Sequence, residues 1–116
     1  MSTLFDDVLV VFSVRPVLHE ALVDWLLSGH ADAGFSSVAV EEHNAEHDHL
    51  SAAEKVRGFQ RRVQLQVRIP ADRLDGLLGD ARREFPDADV HYWVLPLLDG
   101  GHLNPHGAPL DRSTGD

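Results

Sequence analysis

Residues 61–69, RRVQLQVRI, alternate polar and apolar side chains without a break. Val63, Leu65, Val67 and Ile69 fall on one parity and Arg62, Gln64, Gln66 and Arg68 on the other. A period of two sorts side chains onto two faces only in an extended strand, so this stretch predicts a half-buried strand. Pro70 ends it, because proline has no N–H to give to a ladder.

On the C-terminal side the period changes. Leu74, Leu77, Leu78 and Ala81 recur at helical spacing and predict a helix over 72–84, with Asp72 as its N-cap and Phe85-Pro86 as its stop. The Arg82-Arg83 pair suits the negative end of that helix dipole. Residues 90–95 then read as a strand broken by Pro96. On the N-terminal side, residues 44–60 are mostly polar, interrupted by Leu50 and Val56 and punctuated by Gly58-Phe59. Before them, residues 35–43 read as a strand with Val38 and Val40 on one face and Ala39 and Glu41 on the other. Residues 8–14, VLVVFSV, are apolar on both parities, as a central strand would be. Pro16 suits the first turn of a helix over 16–28. That helix has Val17, Leu18, Ala21, Leu22, Trp25 and Leu26 on its apolar face and Ser28-Gly29 at its end, with His19 and His30 as exposed residues.

The resulting order, β-α-β-β-α-β, predicts an α+β protein of ferredoxin-like design: a four-stranded antiparallel sheet with two helices on one face. Right-handed crossovers place strands one and three in the centre. Val8, Val10, Phe12, Val63, Leu65, Val67, Val90 and Tyr92 are expected to face the helices. The opposite face is expected to carry Leu9, Val11, Gln64, Gln66, Trp93, Leu95, Ala39 and Glu41. Its apolar members form a patch that a monomer would rarely leave in water, which favours self-association over cover by the tail residues Leu97, Leu98, Leu103 and Leu110. One domain over residues 1–99, with an excursion at 41–60, and a loosely held tail over 100–116 follow from the length and the glycine- and proline-rich end.

Composition narrows the function. The chain has 116 residues, 43% apolar and 25% charged, and no cysteine, which excludes disulfides, thiolate ligands and cysteine nucleophiles. A net charge of −9 repels nucleic acid and anionic membranes, and the densest basic stretch, Lys55, Arg57, Arg61, Arg62 and Arg68, has only Phe59 interleaved. Apolar runs are too short to span a bilayer and the N-terminus is acidic, so a cytoplasmic location is expected.

The stretch FPDADVHYWVLPLLDGGHL, residues 85–103, and within it HYWVLP at 91–96 and the Asp99-Gly100 turn, resembles an uncharacterised PII-like family within the PII-like and CutA-like group. The resemblance covers roughly residues 5–103. It implies a trimer packed through open sheet faces, with residues 44–60 in the place of the long loop between strands two and three. It also implies an association with heavy-metal efflux systems, beside which that family's genes tend to sit, and a membrane efflux system or other protein as partner. The chain departs from nucleotide-sensing PII proteins: its only tyrosine, Tyr92, lies on a strand, and there is no glycine-rich phosphate motif.

The segment EEHNAEHDHLSAAE, residues 41–54, carries the chemistry that the sequence offers. His43, His47 and His49, with Glu46, could supply three imidazoles and a carboxylate, a set suited to zinc, nickel, cobalt or copper. The competing reading is a solvated acidic loop with incidental histidines. His102 and His106 form a weaker candidate pair, and His91 reads as a sheet-face residue. No serine lies in a nucleophile motif and no carboxylate pair converges, so no enzyme is expected. Metal binding in homeostasis or efflux leads. A regulator of a nucleotide or small anionic metabolite, contacted by Lys55, Arg57, Arg61 and Arg62, comes second, and a ligand-free structural adaptor third.

Overall fold

The alternating stretch forms the longest strand of the sheet, β3 (Gln60–Pro70). In the computed structural model, which describes residues 6–31, 34–43 and 51–104, it follows β1 (Asp7–Val14), α1 (Pro16–Leu27), β2 (Phe35–Glu42) and α2 (Ala52–Arg57). A 3-10 turn at Ala71–Arg73, α3 (Leu74–Glu84) and β4 (His91–Pro96) come after it. The sheet order is β2-β3-β1-β4 with every neighbouring pair antiparallel. Strands one and three are therefore central, and the fold is ferredoxin-like with α2 added to the connection between β2 and β3.

Pro16 opens α1 with Arg15 as N-cap, and Ser28 caps its end before Gly29 turns the chain at φ +117°. The apolar faces of α1 and α3 close over the centre of the sheet. Val10, Phe12, Leu22, Leu26, Leu65 and Val67 are buried there, each contributing about 1.5–3 kcal/mol. Trp25 belongs to this core, stacked on His30 at 4.2 Å and edge-on to Phe85 at 5.7 Å. His30 is thereby half-buried, with Nδ1 2.9 Å from the Trp25 carbonyl.

His30 was expected to be exposed, and the structure corrects four further expectations. Asp72 does not cap α3: it lies inside the 3-10 turn, and Arg73 takes the cap position. His19 is half-buried rather than exposed, its Nε2 enclosed without a hydrogen-bond partner among the described residues. The faces of β2 are exchanged. Val38 is the register partner of Gln64 and Val40 of Arg62, so both valines lie on the open face, while Ala39 and Glu41 pair with Val63 and Arg61 on the helix side. Tyr92, expected in the core, remains 45% exposed, because β4 is an edge strand whose outer flank the helices do not reach.

Candidate functional site

Two regions meet where the chain leaves β2 for α2. The first is built on Arg62, on the open face at the start of β3, which is only 1% exposed. A buried guanidinium is tolerated only if its charge and its five donors are matched. Here all are. Nε donates to Ser13 Oγ at 2.8 Å, Nη1 to Gln60 Oε1 at 2.9 Å and Asp89 Oδ2 at 3.1 Å, and Nη2 to the carbonyls of Ser13 at 2.7 Å and Asp89 at 3.0 Å. Arg15 joins the cluster from the β1–α1 junction, its Nε 3.8 Å from Asp89 Oδ2 and its Nη1 3.5 Å from Glu54 Oε2. His91 Nε2 lies 3.0 Å from Asp89 Oδ1.

Glu54 reaches this cluster from α2. Its backbone N–H donates to Ser51 Oγ at 3.1 Å, and its carboxylate accepts from the Ser51 N–H at 2.9 Å, a reciprocal capping box that fixes the start of a helix too short to be stable alone. Gly58 ends α2 at φ +84°. The Ser51 backbone N–H, above all, holds the Glu54 carboxyl below its ordinary value; burial opposes this, and Arg15 and Gln60 reinforce it. For Asp89, burial works against ionisation, but the hydrogen bond and charge of Arg62, aided by His91 and Arg15, outweigh it and lower its pKa. Two arginines thus face two ionised carboxylates. The two charges of each sign balance, the donors of Arg62 are all matched, and the hub fastens β1, β3, β4 and α2 at one end of the sheet. Arg62 has no donor left for a phosphate, so its expected role as a phosphate contact is corrected to that of the hub's centre.

The second region is the start of the connection. His43, beyond β2, is exposed, with Nε2 3.7 Å from Glu41 Oε1 and its ring 5.6 Å from that of Phe59. Arg61 lies over the same Phe59 ring, its Cζ 5.8 Å from the centroid. Glu46, His47 and His49 lie outside the described residues, and among the described residues no three metal-ligating side chains converge. Of the tail pair, His102 is exposed, its Nδ1 accepting the Asn104 N–H at 3.2 Å, and His106 lies outside the described residues. No described helix is long and apolar enough to cross a membrane.

Elsewhere the open face carries an apolar patch among Gln64, Gln66 and Ser36. Trp93 and Leu95 on β4 are 40% and 43% exposed and Val38 on β2 is 46% exposed, around a buried Val11 flanked by its register partners Gln66 and Trp93. Leu98 and Leu103 point into solvent instead of covering them.

A split β-α-β sheet with a helix added to the connection between β2 and β3 defines a ferredoxin-like class of fold. The fold superposes on CutA from Synechococcus elongatus with a TM-score of 0.61 at 16% identity, covering 84% of this chain and 80% of that one. It superposes on CPII, a nitrogen regulatory PII-like protein from Thiomonas intermedia bound to ADP, AMP and bicarbonate, with a TM-score of 0.63 at 13% identity, covering 85% and 98%. The chain belongs to the DUF3240 family, described as proteins of unknown function, whose model matches residues 5–104. A DUF3240 family protein from Shewanella baltica gives a TM-score of 0.68 at 21% identity, covering 90% of this chain and all of that one. No curated protein matches the chain significantly in sequence.

Proposed function

We propose that this protein is a cytoplasmic, non-enzymatic regulatory or accessory module that binds a divalent transition-metal ion, zinc, nickel, cobalt or copper, through the connection between β2 and α2. The observation that carries the reading is the exposed His43 imidazole beside the Glu41 carboxylate, at the head of a segment that supplies Glu46, His47 and His49 within six further residues. The hub supports it by holding the α2 end of the connection through Glu54, while the Glu42–Gln60 rung of the ladder fixes its β2 end, so a metal bound there would reorganise the surface that a partner, such as a metal efflux system, would read. The exposed Trp93, Leu95 and Val38 support assembly through open sheet faces, as the trimer implied by the family resemblance requires.

Titration calorimetry tests the metal reading. Zinc, nickel or copper should bind near neutral pH and magnesium or calcium should not. Affinity should fall towards pH 5.5, since an imidazole, with an ordinary pKa of about 6.5, must lose its proton to coordinate. Replacing His43, His47 and His49 together with Ala should abolish binding, while replacing His102 and His106 should not. Undiminished binding by the loop variant would refute the site. A nucleotide or small anion, of the kind CPII holds, is the second reading, supported by that fold likeness and weakened by the commitment of Arg62.

A further inference from the structure

The exposure of Tyr92 marks a second feature, formed by elements other than the β2–α2 connection. Between α1, α3 and the outer flank of β4 the core opens into a cleft of about 220 Å³. Its floor is the buried Phe12, Leu22 and Leu78, and its rim the exposed Arg82, Pro86 and Tyr92. Phe12 and Leu22 keep their core contacts, whereas Ala81, Phe85, Ala88 and Val90 along the cleft are only partly buried, so apolar matter in the cleft would complete their burial. An apolar cavity of about 150 Å³ takes a benzene ring. This cleft therefore has room for a ring or branched alkyl group with a short extension.

The rim sets the other half of the ligand. Arg83 pairs with Asp80, whereas Arg82 has no ion-pair partner among the described residues. In a chain of net charge −9, a guanidinium with no ion pair among the described residues, at the mouth of an apolar cleft that the Tyr92 phenol also lines, is complementary to a carboxylate. We infer that the cleft between α1, α3 and β4 binds a small apolar monocarboxylate, its hydrocarbon body on Ala81, Phe85 and Val90 and its carboxylate at Arg82 and Tyr92. Such a ligand would stiffen the free edge of the sheet and would act independently of the metal proposed for the β2–α2 connection.

The test is a titration of the full chain, labelled with nitrogen-15, with phenylacetate and with its neutral counterpart 2-phenylethanol. Phenylacetate should shift the amides of residues 78–92 saturably, and phenylethanol should bind about tenfold more weakly, the loss expected from one charge-assisted pair. Arg82→Gln should remove that preference while leaving the alcohol's affinity unchanged. Ala81→Leu, which fills the cleft, should abolish both. Should Ala81→Leu misfold, Arg82→Gln still decides, because Arg82 is on the surface. Equal affinity for acid and alcohol, shifts confined to the open sheet face, or a cleft kept closed to both probes by a second copy or by the chain's own C-terminal residues would each overturn the inference.

Discussion

Two regions of the open sheet face reverse the usual relation between polarity and burial. At one end, Arg62, Ser13 and Gln60 are polar and almost wholly buried; in the middle, Trp93, Leu95 and Val38 are apolar and lie open to solvent. The polar end is closed because every donor of Arg62 has an acceptor within the chain. The apolar part has no comparable internal solution, because the two long helices occupy the other face. A single chain thus finishes its electrostatics and leaves its hydrophobic burial incomplete. The contrast separates what this domain needs to fold from what it offers to another surface.

The sharpest way to break the contrast is Arg62→Ala. It leaves Gln60 and the Ser13 carbonyl without their donor and Asp89 without its main partner, and should cost about 3–5 kcal/mol in denaturant unfolding. Arg62→Lys should recover little, since one ammonium cannot reproduce a five-donor fork. A variant as stable as the wild type would show that the hub is incidental.

At the apolar end the expected effect is on assembly. Leu95→Lys places a charge on a residue that is already half-exposed within one chain, so the fold should survive, as read by far-ultraviolet circular dichroism. In light scattering the particle should fall to 12.8 kDa, because an unpaired charge buried in an interface is costly. A wild-type protein already at that mass at tens of micromolar would remove the interface.

The smallest effect is acid sensitivity. Asp89 and Glu54 are held below their ordinary values of 3.8 and 4.5 in the folded chain. Folded carboxyls with depressed pKa values stabilise fully above the unfolded values, and that stability is lost as pH falls through the folded ones. Unfolding free energy should therefore be flat above about pH 5 and decline below pH 4.5, and Asp89→Asn should make the decline shallower.

The fold was legible because RRVQLQVRI states its period plainly and VLVVFSV, apolar on both parities, marks a central strand, and the two pair in the sheet. The faces of β2 were not. Assigning the more apolar parity to the core fails when the open face is apolar too, and the helices do not extend over Ser37 and Ala39, which remain exposed. Nor was α2, although its signal was present: Ser51 followed three residues later by Glu54 is a capping box, obscured because six residues are too few to show a helical period. The hub was illegible for a different reason. Arg62 sits on a parity that reads as solvated, and its partners Ser13 and Asp89 lie 49 and 27 residues away. No local pattern reveals a burial created by such distant acceptors. Of the proposed metal ligands, the structure locates His43 alone, near a carboxylate the sequence had placed on the opposite face.

Glu42 and Gln60 are register partners, so everything from residue 43 to residue 59 is an excursion that starts and finishes on one rung of the ladder. The entropy of closing a loop grows only with the logarithm of its length, about 0.6 kcal/mol for each doubling. With its base clamped, the excursion can lengthen, shorten or accept a spliced-in peptide ahead of Ser51 without altering strand register. It is the part of the chain where new sequence is cheapest to try, for evolution and for an engineer inserting a reporter alike.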